Sequence, residues 1–226
     1  MQQTWFSIAV LLLSAVHGFT QSGTVISKNF QFADGIYLSH TAFQHNQPDY
    51  PLTAIKANLF TNPQTFLTQV DSISVRRGAA LEALDPTSIW IICLGGIPYV
   101  RLPKGAVNKE LVTFAGLQLR GKICYFRYEN LESRSIPMVA YNPATGKPFR
   151  EAVVQRNVLV TYEKMLHFES GEIRDFTVEN FLAWIQDDPE LTASVRELGP
   201  DEILEKLFKC LLIYDDRNLA YIYTNN

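Results

Sequence analysis

A hydrolytic site needs a nucleophile or an activated water beside a base of suitable pKa, and this chain supplies few residues of that kind. Beyond the first twenty residues the histidines are His40, His45 and His167, and the cysteines are Cys93, Cys124 and Cys210. His40 and His45 stand five apart, which on a helix leaves them about 140° out of phase. They are therefore not the one-face pair of an i, i+4 metal site, and the alternative is a loop site that recruits Asp49. Cys93 precedes Gly95-Gly96, whose amides could face an oxyanion. The same residues make a hairpin turn, and no histidine stands near in sequence to activate the thiol. Asp187, Asp188 and Glu190 could act as paired carboxylates, but at a helix junction capping and the helix dipole already account for them. Asp215-Asp216 reads as solvated charge. The sequence has no phosphate-binding glycine loop and no G-x-S-x-G, H-E-x-x-H or Cys-x-x-Cys motif. No cofactor or metal is expected, and the motif-bearing enzyme classes are unsupported.

The remaining candidates are aromatic. Tyr37, Tyr99, Tyr125 and Tyr128 lie on or beside predicted strands, and an exposed strip of them could contact a glycan or an envelope protein. His40 and His45 would add solvated polar surface on a short helix. The competing reading is core, because alternating strands bury half of their side chains.

The chain begins with Met1-Gln2-Gln3-Thr4, followed by twelve uncharged, mostly apolar residues from Trp5 to Val16. That is the layout of a secretory signal. A helix of twelve residues spans roughly 18 Å, short of the ~30 Å hydrocarbon core of a bilayer. Residues 1–20 are thus expected to be a signal peptide and residues 21–226 one globular domain, exported to the periplasm or beyond. A net charge of −3 and a pI of about 5.8 exclude a phosphate-tracking basic surface, so no nucleic acid is expected. No later stretch reaches eighteen apolar residues, so no transmembrane segment is expected after cleavage. Three cysteines in apolar settings read as buried thiols, with a Cys93–Cys124 bridge open if their strands neighbour each other.

These residues must be positioned by a mainly antiparallel sheet. Thr24 to Phe32 reads as a strand ending at the Asp34-Gly35 turn, and Ser39 caps a short helix with Leu38 and Phe43 spaced as a hydrophobic staple. Strands are expected near Ala54 to Leu59 and Ser72 to Val75. Ser88 to Leu94 and Ile97 to Leu102 flank Gly95-Gly96 as a hairpin with a two-residue turn, and Pro98 points to an edge strand. Leu111 to Leu117 and Lys122 to Tyr128 suggest a second hairpin around Arg120-Gly121. Pro137 to Tyr141 and Phe149 to Val153 flank Asn142 to Gly146, and Val158 to Phe168 is followed by Glu172 to Phe176. Short Gly-containing turns between successive strands imply a strongly curved antiparallel sheet.

From about residue 177 to 214 the period changes to helical. Thr177 caps a stripe of Val178, Phe181, Leu182 and Ile185. Asp188 and Pro189 open a second helix carrying Leu191, Val195 and Leu198. After Gly199, Asp201 opens a third with Ile203, Leu204, Leu207, Phe208 and Leu211. The fold class is α+β: an antiparallel sheet with a C-terminal helical cap.

The segment Phe32-Ala33-Asp34-Gly35-Ile36-Tyr37-Leu38-Ser39, with Phe43, Asn46 and Pro48, resembles a D-G-I-Y-L-S-x-x-x-F-x-x-N-x-P motif in a group of uncharacterised exported proteins of Gram-negative bacteria. Trp90 to Arg101 is similar to their central hairpin, and Asp188-Pro189-Glu190-Leu191 to their C-terminal helical junction. The resemblance implies export and a shared fold but carries no activity. The expected function is a noncatalytic binding protein of the envelope or the exterior, and the alternative is a hydrolase whose site is assembled from distant segments.

Overall fold

The computed structural model describes residues 23–27, 29–107 and 110–223; the expected signal peptide lies outside them. In chain order the elements are β1 (Gly23–Val25), β2 (Gly35–Tyr37), α1 (His40–Gln44), β3 (Tyr50–Pro51), β4 (Ile55–Asn62), β5 (Leu67–Arg77), β6 (Ala80–Ala83), β7 (Ile91–Leu94), β8 (Ile97–Arg101) and β9 (Val112–Gly116). There follow β10 (Ile123–Tyr141), β11 (Pro148–His167), β12 (Ile173–Asp175), α2 (Val178–Trp184), α3 (Pro189–Arg196), α4 (Pro200–Arg217) and β13 (Tyr221–Tyr223). The molecule is mostly β, antiparallel and curled, with a helical segment near its C-terminal end.

The first sheet runs β3-β2-β7-β8-β9-β5-β4, with β6 also on β5. Its centre is the predicted β7–β8 hairpin, where Leu94 pairs with Ile97 across Gly95 and Gly96, at φ 60° and 75°. Two successive positive φ values are what a tight hairpin turn demands of its central residues. Pro98 lies inside the sheet rather than at its edge, since β8 pairs on both sides. The sheet tolerates it because β9 pairing proper begins one residue later, at Tyr99 with Gly116, while the Pro98 carbonyl still accepts from Leu117 N–H at 2.9 Å. Only the donor that proline lacks is missing from the ladder.

The expected hairpin around Arg120-Gly121 does not form. β9 pairs with β8 and β5, and the chain then leaves that sheet, touching β10 through the single bridge of Leu119 with Tyr125. The strands expected separately at 122–128 and 137–141 are one strand, β10, and those at 149–153 and 158–168 are one strand, β11. They form a hairpin paired continuously from Ile123 with His167 to Ala140 with Arg150, and β12 covers only Lys164 to Leu166. β1 pairs with β13, which ties the two ends of the described chain together.

The motif at 32–48 is held by its own parts. Gly35, at φ 152°, has no room for a side chain, because an added Cβ would meet the Tyr50 carbonyl at 2.3 Å. Asp34 Oδ1 accepts from Gly96 N–H at 2.7 Å and Asp49 Oδ2 from Leu38 N–H at 2.7 Å. Asn46, at φ 52°, accepts from Ala33 N–H at 2.7 Å and from the Tyr37 hydroxyl at 3.0 Å. This is a structural knot that fixes β2 and α1.

The helical segment starts where its caps predict. Ser39 Oγ accepts from Ala42 N–H, Thr177 Oγ1 from Asn180 N–H and Asp188 Oδ1 from Leu191 N–H. α4 begins one residue earlier than expected, with Pro200 after the Gly199 cap, the position where a proline's missing donor costs nothing.

Candidate functional site

The root of the β10–β11 hairpin is packed on both faces. On one, Cys124, Phe126, Tyr128 and Leu166 join Tyr37, Phe43 and Ile91 in a core shared with the first sheet. On the other, Ile123, Tyr125 and Met165 pack against Phe181, Leu191, Leu211 and Tyr214 of the helices. Strand alternation explains both, since even-numbered residues face the sheet and odd-numbered ones the helices.

The four candidate tyrosines are all buried, Tyr125 against the helices and Tyr37, Tyr99 and Tyr128 in cores of the first sheet, so they do not make an exposed strip. Tyr37 donates to the Ala33 carbonyl at 2.6 Å. The Tyr99 ring lies where a Cβ on Gly116 would meet it at 3.0 Å. Tyr125 donates to Glu163 Oε1 at 2.5 Å, and Tyr128 stacks on Tyr162 with centroids 5.1 Å apart. Burial, first of all, pushes the Tyr125 hydroxyl pKa above its ordinary value, and the Glu163 carboxylate adds to it.

The histidines are half-buried and each is used locally. His40 Nε2 is 2.7 Å from the Phe168 carbonyl, with its ring edge-on to Trp90. His45 Nδ1 is 2.8 Å from the carbonyl of Thr41. Asp49, the third member of the conceivable loop site, binds Leu38 instead. His167 packs edge-on against Trp184, and burial lowers its pKa. All three cysteines are free and buried. Cys93 on β7 and Cys124 on β10 are not on neighbouring strands, which removes the proposed bridge. Their thiols donate to the carbonyls of Phe32 and Gly121, and burial pushes Cys124 up to about 12. Such thiols are inert packing groups. Among the described residues no group of three or more His, Cys, Asp or Glu could hold a metal ion.

One polar cluster ties the hairpin root to α4. Asp187 accepts from Lys122 Nζ at 2.6 Å and from the Tyr214 hydroxyl at 2.8 Å. Burial raises its pKa, but these two bonds outweigh it and leave the carboxyl below its ordinary value. Asp215 Oδ1 accepts from Ile123 N–H at 2.9 Å, while its buried Oδ2 has no partner among the described residues. Burial raises the Asp215 pKa to about 7 against those backbone donors. It lies at a cleft of about 530 Å³ with Arg120, Leu212 and Asp216. Gly121 must be glycine here, because a Cβ would sit 2.4 Å from the Asp215 carboxylate. The cluster clamps the start of β10.

The distal half of the hairpin has no core and, among the described residues, no further strand beside it. Beyond Tyr128 and Tyr162 the two strands pair only with each other among the described residues. Eleven residues of strand, from Leu131 to Tyr141, project about 35 Å. Both faces are apolar and exposed. Odd positions present Leu131, Val139, Val153 and Leu159, with Leu131 and Val153 65% and 70% exposed; even positions present Met138 and Val154. At the base, Leu131 and Leu159 join Leu67 and Val107 around a notch of about 480 Å³. On the even face Arg134 stands directly opposite Arg156, a like-charge pair that weakens the ribbon, and Glu132 binds Arg134 at 3.0 Å. A two-stranded ribbon with no further support is marginal in water, and an apolar surface of this extent marks a place of contact.

This arm was not among the sequence candidates. The signal was present in the apolar alternation on both sides of Asn142 to Gly146, but nothing in it says that the alternation outruns the body. No family model, curated protein or solved structure matches the chain.

Proposed function

We propose that this is an exported, noncatalytic binding protein that engages another protein through the distal β10–β11 arm. One observation carries the reading: the arm exposes aliphatic side chains on both faces of a ribbon with no third strand among the described residues. Docking would cover those faces and supply contacts that the ribbon does not make among the described residues. The chemistry favours a protein over a glycan, because glycans stack on aromatic faces and the exposed apolar side chains along the arm are mostly aliphatic, Tyr141 at its tip being the exception. Export is supported by the uncharged run from Trp5 to Val16 and implies a mature start near Gln21.

The test is a photo-crosslinking residue placed at Val153, on the arm, or at Leu81, an exposed apolar residue on the body, in cells that make the protein. Adducts to protein from position 153 and none from 81 are expected. Equal labelling, or none at 153, would overturn the reading. Mass spectrometry of the purified protein's N-terminus tests the export half.

A further inference from the structure

We infer that the surface the arm engages is the helical end of a second copy of this chain, so that two copies exchange arms reciprocally. This rests on reading the arm as an interaction element. The first argument is charge. Residues 133–157 carry four basic side chains, Arg134, Lys147, Arg150 and Arg156, against one acid, Glu151. Residues 178–217 carry ten acids against four bases. A chain with net charge −3 has thus gathered opposite charge at two separate places, an arrangement that guides and orients association.

The second argument is the surface of α4. Its inward face is Leu207, Cys210, Leu211 and Tyr214, yet Leu204, Phe208 and Leu212, spaced four apart, form a second, partly exposed apolar stripe, with Leu204 91% exposed and the Phe208 ring still edge-on to Tyr125. Asp201, Glu205 and Asp216 flank that stripe and form no ion pair among the described residues, and Lys209 is the unpaired base beside them. On the arm, Arg150 and Arg156 share the even face with the exposed Met138 and Val154 and form no ion pair among the described residues, and Lys147 stands in the turn at the tip. An apolar strip edged with bases thus meets an apolar strip edged with acids.

Dimensions agree. The distal arm is about 35 Å long and α4 about 27 Å. One ribbon face of that length covers roughly 350 Å², so a reciprocal pair buries about 1,400 Å² in all, within the range of stable interfaces. Reciprocity closes the assembly at two copies, whereas a one-way contact would go on adding copies.

Sedimentation velocity of the mature chain tests this. Wild type is expected at the mass of two copies at micromolar concentration, with affinity falling tenfold or more from low to high salt as screening sets in. R150E/R156E and D201K/E205K should each run as one copy while keeping the wild-type far-UV circular dichroism and a melting temperature within a few degrees of wild type, the small fall being the lost linkage to association. An equimolar mixture of the two variants should restore the two-copy species, because each reversed arm then meets a reversed helical end. A single-copy wild type at all concentrations, or a mixture that does not associate, would overturn the inference, and mass growing beyond two copies would overturn the reciprocal geometry. A Val153 adduct to a different protein, with single-copy wild type, would overturn self-association and leave the proposed binding role standing; no adduct together with single-copy wild type would overturn both.

Discussion

β10 and β11 behave as two different objects along their length. From Ile123 to Tyr128 every residue except Arg127 is buried, the even face against the first sheet and the odd face against the helices. From Leu131 to Tyr141 the same ladder and much the same alternation continue, and the side chains stand in solvent. Backbone pairing is identical in kind. What differs is what covers the faces, so stability resides in the root and contact potential in the arm.

The comparison is sharpest under large-to-small substitution. Phe126→Ala, in the root, should cost about 3–5 kcal/mol, and Leu131→Ala, on the arm, within about 0.5 kcal/mol, both read from urea unfolding of the mature chain. A large loss from Leu131→Ala would break the distinction.

Next in size is the clamp at the root. Asp215 is raised to about 7 when folded, against about 3.9 in an unfolded chain. Below pH 4 it is protonated in both states and costs nothing. As the pH rises from about 4 to 7 the unfolded chain ionises first, so stability falls across that window and stays lower above it. Asp215→Asn removes the penalty, and unfolding at pH 8 should become harder by roughly 2–4 kcal/mol, with no gain at pH 3.5. An equal effect at both pH values would show that Asp215 acts through packing alone.

A smaller effect is expected at the junction beneath the root. Asp188→Ala removes the cap of α3 and should lower stability by about 1 kcal/mol, measurable as a fall in melting temperature without loss of crosslinking from Val153. If crosslinking fell as well, the helical end and the arm would be coupled more tightly than two separate regions allow.

How much of this the residues foretold follows the same division. Ser39, Thr177 and Asp188 are read correctly as caps because capping is local, decided within three or four residues. The turn at Gly95-Gly96 is legible for the same reason. Pairing between distant segments is not: the chain does reverse at Arg120-Gly121, but only Leu119 with Tyr125 pairs across it, because β9 takes β8 and β5 as its partners and β10 takes β11. The arm was read as separate short strands because Ser133-Arg134-Ser135 and Gln155-Arg156-Asn157 resemble gaps, yet they lie opposite each other and bridge the interruption together. The tyrosines read correctly as lying on or near strands, but alternation gives two faces and leaves surface strip and core both open, and it takes the packing of the first sheet and the helices to show that both faces are covered. Asp215 gave no sign of burial, because its desolvation depends on Gly121, ninety-four residues away in sequence.

The most direct measurement replaces residues 131–159 with an Asn-Gly turn and compares the shortened protein with wild type in thermal unfolding and in association, by sedimentation and by crosslinking in cells. If the arm is a contact element built on an independent body, the melting temperature should stay within a few degrees and association should be lost. A body that fails to fold, or one that associates as wild type does, would contradict that account.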